Sequence, residues 1–185
     1  MQINFQPATL DEHFEQIIAL QKQNLYTSLS AEKQSEQGFV FAEHTMELLK
    51  LMASHLPQII ALADGKVVGY TLAMAPTMKN DLPSLAPMFA EFEKCVYKGI
   101  PLPNYHFAVG GQVCVDENFR GIGLLSKLYN AAKEHSPVGY QLIVTEVSRR
   151  NTISLKAHQK MGFEVIHTYN GEELWDVIAW DIRSS

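Results

Sequence analysis

Cysteine is scarce in this chain, and that scarcity excludes several kinds of site. Only two cysteines occur among 185 residues, and Cys95 and Cys114 lie in apolar surroundings without a Cys-x-x-Cys spacing. A disulfide framework or a zinc ribbon needs more cysteines than this. We expect buried free thiols in a reducing compartment, with a nucleophilic Cys114 as the less favoured alternative. The seven histidines contain no His-x-x-x-His pair, so we predict no metal site.

Long apolar runs and an excess of basic residues are also missing. No stretch approaches the roughly 20 residues of a membrane-spanning helix, and residues 1–6 lack the cationic start and apolar run of a signal peptide. We therefore expect a cytoplasmic protein without a membrane partner. The formal net charge of −5 and the pI of about 5.8 argue against nucleic acid as a partner. They are compatible with a cationic amine substrate.

The sequence does contain a regular mixture of strand-like and helix-like segments. A hydrophobic content of 46% in 185 residues suits a single domain over residues 1–185. Alternating patterns predict strands at residues 3–7, 58–63, 66–74, 112–115, 140–147, 163–168 and 174–182. Helical periodicity predicts helices at residues 11–25, 30–37, 45–56, 121–135 and 152–161, the first with Thr9 as its N-cap. Asp64-Gly65 and Asn170-Gly171 predict hairpin turns. The fold class is therefore α/β or α+β.

A glycine-containing loop follows the predicted strand that ends at Val115. The loop Arg120-Gly121-Ile122-Gly123 leads into residues of helical spacing, which predicts a strand, a tight turn and a helix N-terminus. Such a helix start presents unpaired backbone N–H groups to an anion, and glycine allows close approach. Ser126 stands where a dinucleotide fingerprint needs its third glycine, and no Gly-Lys-Ser/Thr follows as in a Walker loop. A phosphate-bearing ligand of another kind is expected.

The loop and its strand resemble motif A of the GCN5-related N-acetyltransferase (GNAT) superfamily. Arg120, Gly123 and the strand residues 113–115 match that motif, while Leu125 stands where the family usually has a small residue. Residues 146–151 and the ending Met161-Gly162-Phe163 resemble motif B, and the likeness extends roughly over residues 58–182. It implies a mixed, mostly antiparallel sheet of about six or seven strands flanked by helices, with acetyl-CoA as acyl donor. The implied cofactor-binding residues are Val113, Cys114, Val115, Arg120, Gly121, Ile122, Gly123, Leu124, Leu125, Ser126, Asn151 and His158.

Two residues are candidates for proton transfer. Glu146 ends an apolar strand, where an inward-facing carboxylate is costly without a role, and the resemblance implies a catalytic base. Its alternative is a surface carboxylate paired with Arg149 or Arg150. His158 stands where the family commonly has a tyrosine that protonates the coenzyme A thiolate, and histidine can do the same. Its alternatives are contact with the cofactor or packing under the sheet.

Asn151 also has two readings. By resemblance its amide reaches the cofactor, but an asparagine before Thr152 can instead be the N-cap of the following helix.

Residues 76–104 form an insertion by comparison with related acetyltransferases. The segment holds five prolines and a predicted helix at residues 84–96 with an apolar stripe. One reading is a lid or wall of the acceptor pocket. The other is a helix packed on the core or on a second subunit, which keeps a homodimer open.

The sequence as a whole predicts an acetyl-CoA-dependent N-acetyltransferase that acts on a primary amine of a small molecule or peptide. Direct transfer in a ternary complex is favoured because no Gly-x-Ser-x-Gly elbow supplies a serine nucleophile. The alternatives are transfer of another acyl group and a non-catalytic acyl-CoA-binding sensor. The early helices and the insertion contain no recognisable motif that identifies the acceptor.

Overall fold

Seven strands form one sheet in the computed structural model, in the order β1 (Ile3–Pro7), β2 (Ile59–Ala63), β3 (Lys66–Met74), β6 (Phe107–Val115), β7 (Leu142–Ser148), β9 (Leu174–Asp181) and β8 (Glu164–Asn170). The model describes residues 2–80 and 82–183; residues 1, 81, 184 and 185 of the predicted domain lie outside these ranges. β6 and β7 run parallel, whereas the pairs β1–β2, β2–β3, β7–β9 and β8–β9 are antiparallel. The predicted mixed, mostly antiparallel sheet with flanking helices is confirmed.

A small hairpin outside this sheet contains β4 (Val96–Tyr97) and β5 (Ile100–Pro101). The helices are α1 (Asp11–Asn24), α2 (Ala31–Gln37), α3 (Met46–His55), α4 (Ala86–Phe92), α5 (Leu124–His135) and α6 (Thr152–Met161).

One compact unit comprises Met1–Ala73 and Gly111–Pro137. Its hairpin turns at Asp64 and Gly65, both with positive φ, as a two-residue turn between twisted strands requires. The core of the unit packs α5 against the sheet through apolar side chains that are almost fully buried: Ile59, Ala61, Val68, Leu124 and Leu128. Burial of these apolar side chains stabilises the packing of α5 on the sheet.

The second compact unit comprises Met74–Gly110 and Val138–Ser185. It holds the insertion, the central strands β7 and β9, the edge strand β8 and the helix α6. In the insertion, α4 buries Met88, Phe89 and Phe92, and the Phe92 ring meets Phe107 edge-on with 6.3 Å between ring centroids. The apolar stripe that the sequence predicts therefore packs within its own unit.

Several boundaries differ from the sequence-based expectation. The strand before the glycine loop begins at Phe107 rather than at residue 112. The first helix takes Leu10 rather than Thr9 as its N-cap, because the ring nitrogen Nδ1 of His13 accepts the backbone N–H groups of Thr9 and Leu10. The insertion helix covers only Ala86–Phe92, because a hairpin with a turn at Lys98 and Gly99, both of positive φ, follows it. The helix after the glycine loop begins at Leu124 instead of residue 121.

Candidate active site

The glycine loop of the first unit opens directly onto the N-terminus of α5. Gly121 and Gly123 have φ angles of 76° and 80°, the left-handed region that costs other residues roughly 1–2 kcal/mol. A Cβ atom at Gly121 would meet nothing within 4 Å, and one at Gly123 would meet only Ser126 Oγ at 3.8 Å. The glycines are thus required by the backbone path, and the space beside them is open. The first N–H groups of α5 have no acceptor within the helix, so the loop can receive an anion.

Arg120 fixes this loop to the first two helices. Its Nε donates to the Val115 carbonyl oxygen at 3.0 Å, one terminal nitrogen donates to Gln37 Oε1 at 2.8 Å, and the other donates to Asn24 Oδ1 at 2.6 Å. Asn24 is buried and donates its own amide to the Leu20 carbonyl oxygen. Each of the three guanidinium nitrogens therefore binds a protein group, and these bonds hold the loop against the first two helices. Contact of Arg120 with the cofactor stays a prediction.

The strand before the loop divides its side chains between two faces. Val113 and Val115 pack against the core of the first unit, while Cys114 is buried, and burial raises the pKa of its thiol to about 12. A thiol with such a pKa is a poor nucleophile at neutral pH, and both cysteines are free and buried, as expected.

The residues that follow the strand differ in exposure. Leu124 is buried in the core, Leu125 is half-buried, and Ile122 is exposed. Leu125 therefore keeps part of its large side chain at the surface beside the loop.

Glu146 lies in the second unit, half-buried on β7. Its Oε2 accepts a short hydrogen bond from the hydroxyl of Tyr169. Burial raises the pKa of Glu146 above its ordinary value, the Tyr169 bond lowers it, and the charge of Glu91 raises it. Burial prevails, so the group is a stronger base than an exposed carboxylate.

The arginines that offered the alternative reading of Glu146 bind elsewhere. Arg149 Nε lies 3.0 Å from both Asp176 carboxylate oxygens, and Arg150 Nε lies 3.1 Å from Glu173. The reading of Glu146 as the ion-pair partner of these arginines is thus incorrect.

The register of the sheet explains how Tyr169 reaches Glu146. Glu146 pairs with Val177 of β9, and Val177 pairs with His167 of β8. Since cross-strand partners share a face and residues two apart on a strand do too, Glu146, His167 and Tyr169 present their side chains on one face. The rings of His167 and Tyr169 stack at 6.3 Å between centroids.

His158 is buried and electrically neutral. Its Nδ1 lies 2.8 Å from the Ser154 carbonyl oxygen, so that nitrogen carries the proton and donates it. Burial lowers the pKa of His158 to about 4, against a smaller opposing effect of the Ser154 bond. Its ring meets Phe163 edge-on at 5.0 Å. At neutral pH the ring is therefore a neutral imidazole. The hydrogen on its Nδ1 is already bound to the Ser154 carbonyl oxygen.

Asn151 caps the same helix. Its side chain is buried, and its Oδ1 accepts the Ser154 N–H at 3.3 Å. The N-cap reading is confirmed, while the contact with a cofactor stays a prediction.

The described part of the chain shows neither a metal-binding cluster nor a membrane helix. No three His, Cys, Asp or Glu side chains within residues 2–80 and 82–183 converge as metal ligands. In the same ranges, no helix has the length and apolarity that crossing a bilayer takes.

Comparison with known proteins identifies the family. The model of the acetyltransferase (GNAT) family matches residues 22–163. The chain belongs to this family. It is thus an acetyltransferase of the GNAT type and belongs to the broader class of acyltransferases. None of the curated protein sequences compared with it matches significantly.

Solved GNAT structures share the fold at low sequence identity. An N-acetyltransferase from Staphylococcus aureus Mu50 superposes with a TM-score of 0.64 at 17% identity, covering 98% of this chain and 99% of that one. The NatC complex bound to Gag peptide and CoA gives 0.62 at 16%, with 98% and 99% covered. Arabidopsis thaliana NAA60 in complex with acetyl-CoA gives 0.62 at 13%, with 97% and 99% covered. At these identities the likeness establishes the fold.

The sequence predicted two features of the candidate site but not the residues that contact them. It located the glycine loop and Glu146, whereas Tyr169, His167 and Glu91 were not singled out. His167 and Tyr169 alternate on a strand, which is a weak signal for a shared face. His167 and Tyr169 are related to Glu146 only through the intervening strand β9. The register between these strands cannot be read from a local sequence pattern.

Proposed function

We propose that this GNAT chain is an acetyl-CoA-dependent N-acetyltransferase that acts on a primary amine of a small molecule or peptide. The observation that carries the proposal is the half-buried Glu146 carboxylate, which accepts a hydrogen bond from the Tyr169 hydroxyl and whose pKa is raised by burial. A free amine with a pKa of roughly 8 to 10 is mostly protonated at neutral pH, so acylation needs a proton acceptor. The complexes of NatC with CoA and of NAA60 with acetyl-CoA support the choice of donor.

The glycine loop suits the diphosphate of coenzyme A. Positive φ at Gly121 and Gly123 turns the chain so that the first turn of α5 faces open space, and helix N-termini favour anions. The backbone N–H groups of residues 121–126 would hold the diphosphate, and the backbone of Val113 and Val115 would pair with the pantetheine arm. Acetyl-CoA supplies an acetyl group activated as a thioester.

The state of the two thiols supports direct transfer in a ternary complex over a cysteine-bound acyl intermediate. Burial raises the pKa of Cys95 to about 11 and that of Cys114 to about 12, so neither thiol is prepared to carry an acyl group. Glu146 then takes the proton that leaves the amine. The predicted acid role of His158 is the weaker part of the proposal, because a ring with a pKa of about 4 holds no extra proton to give at neutral pH.

The neutral His158 favours one second candidate, a domain that binds acyl-CoA without turnover. A GNAT chain that lacks an effective proton donor for the thiolate can still bind the donor molecule through its loop. Transfer of another acyl group remains a variant of the first candidate.

Two measurements separate these candidates. Calorimetry with acetyl-CoA reports binding, and a thiol-release assay over a panel of primary amines reports transfer. Release with at least one amine supports the acetyltransferase, whereas binding without release on any acceptor supports the sensor.

Glu146→Gln tests the base, and Glu164→Gln is a matched control. Glu164 lies on the same sheet and accepts a tyrosine hydroxyl, that of Tyr97, at 3.0 Å, but it is exposed. We expect Glu146→Gln to lower kcat by roughly 10²–10⁴-fold with unchanged affinity for acetyl-CoA, and Glu164→Gln to leave both unchanged. Full turnover and an unaltered pH–rate profile in Glu146→Gln would remove the residue from the mechanism.

A further inference from the structure

The hydroxyl of Tyr169 is the only described group that donates a hydrogen bond to the Glu146 carboxylate. Within residues 2–80 and 82–183, no group donates to the other carboxylate oxygen, Oε1. We propose that Tyr169 is a positioning residue of the reaction: it holds Oε2 of Glu146 so that Oε1 is presented to the proton of the acceptor amine. This inference rests on the proposed function of Glu146.

The geometry around Tyr169 restrains its ring from several sides. The register places Tyr169 opposite Trp175 of β9, and the ring stacks on that of His167. A Cβ atom at Gly171 would lie 3.3 Å from Tyr169 Cε2, so the glycine allows the turn to close against the ring. A ring fixed in this way delivers its hydroxyl to one place, and little rotamer freedom is lost when the hydrogen bond forms.

Tyr169 keeps its proton throughout the working pH range. Burial raises the pKa of Tyr169 far above its ordinary value of 10, and the hydrogen bond to Glu146 and the charge of Glu91 act in the same direction. Such a phenol is too weak an acid to protonate a thiolate. It acts instead as a constant donor that favours the charged form of Glu146.

Glu91 reaches this face of the sheet from α4. Its carboxylate binds His167 Nε2 at 3.2 Å and Lys94 Nζ at 2.6 Å, and its charge disfavours ionisation of Glu146. Cys95 completes the titratable groups here; its thiol donates to the Glu91 carbonyl oxygen at 3.3 Å and stays neutral because burial raises its pKa to about 11. The insertion thus contributes a charge to the surroundings of Glu146.

The test uses carbon-13 NMR titration of the glutamate carboxyl groups, with the Glu146 signal assigned by its loss in Glu146→Gln. Tyr169→Phe removes the donor and should raise the pKa of Glu146. Glu91→Gln removes the opposing charge and should lower it. Tyr97→Phe is the matched control: it deletes a hydroxyl that binds the exposed Glu164 and should leave the Glu146 titration unchanged. An unchanged Glu146 pKa in Tyr169→Phe overturns the proposal.

Kinetics supply the second readout. In Tyr169→Phe, kcat should fall by roughly ten- to a hundredfold with KM for acetyl-CoA unchanged, and the acidic limb of the kcat/KM profile should move to higher pH together with the NMR value. A merely structural role would lower activity without moving that limb, and this result also overturns the proposal. The NMR titration needs no substrate, so it tests the effect of Tyr169 on Glu146 even if no amine reacts. Failure of every amine to react would refute the proposed function alone.

Discussion

Arg120→Met discriminates between an arginine that positions the glycine loop and one that binds phosphate. The substitution keeps an unbranched side chain and removes three hydrogen bonds, to Val115, Gln37 and Asn24. Hydrogen bonds from charged donors contribute about 1.5–3 kcal/mol each and are not additive, and a buried acceptor left unpaired adds a penalty. Asn24 is buried, whereas Gln37 is half-buried and can bind water. We therefore expect the free energy of unfolding to fall by about 3–5 kcal/mol.

The assay is urea denaturation of the protein without any ligand. In a chain of this length, such a loss corresponds to a fall in Tm of about 10 °C. Arg120→Lys should lie between wild type and Arg120→Met, because an ammonium group cannot reproduce the planar fork. Lys127→Met, an exposed cation on α5, serves as the control for loss of one positive charge. If Arg120→Met unfolds like wild type but binds acetyl-CoA weakly, the guanidinium is a phosphate ligand and the positioning argument fails.

Three further predictions concern the loop, the buried histidines and the thiols. Gly123→Ala should destabilise the protein by about 1–2 kcal/mol because position 123 has a left-handed φ, and it should weaken acetyl-CoA binding in calorimetry. Asparagine tolerates that region better, so Gly123→Asn should retain more stability and more affinity for acetyl-CoA. Equal behaviour of the two variants would contradict this. Burial lowers the pKa of His44 and His158 to about 4. As the pH falls below about 6.5, these rings are protonated first in the unfolded chain. The free energy of unfolding should therefore decline by about 3 kcal/mol per ring between pH 6.5 and about pH 4. Urea unfolding from pH 4 to 7 should show a smaller slope in His44→Gln than in wild type, and identical slopes would refute the assignment. Cys95 and Cys114 should resist iodoacetamide at pH 8 in the native protein and react after unfolding, as mass spectrometry can show; rapid native labelling would contradict their burial.

Local chemistry made much of the fold predictable from the sequence. Ser30 and Thr45 cap their helices by accepting the N–H groups of Lys33 and Leu48, as short polar residues do. The Asp64-Gly65 turn and the glycine loop follow from backbone preferences of the same kind. Each of these signals lies within a few residues of the structure that it specifies.

The features that the sequence did not reveal depend on distant partners. The capping role of His13 and the anchoring of Arg120 to Asn24 require helices and loops to be placed first. The same holds for Tyr169, which reaches Glu146 only through the register of an intervening strand. Propensity and periodicity carry no information on such pairings.

The contacts of the insertion agree with the packing reading that the sequence left open for it, while the reading as a wall of the acceptor pocket stays a prediction. On a helix with 100° between residues, Met88, Phe89 and Phe92 of α4 share one face and are buried, whereas Glu91 lies at the border of that face. The apolar side chains therefore attach α4 to its own unit. They do not require a second subunit to cover them, so this stripe gives no support for a homodimer, which remains a prediction. The same attachment places Glu91, the residue that we propose to act electrostatically on Glu146. A change that loosens Phe92 should therefore alter the titration of Glu146 as well as stability.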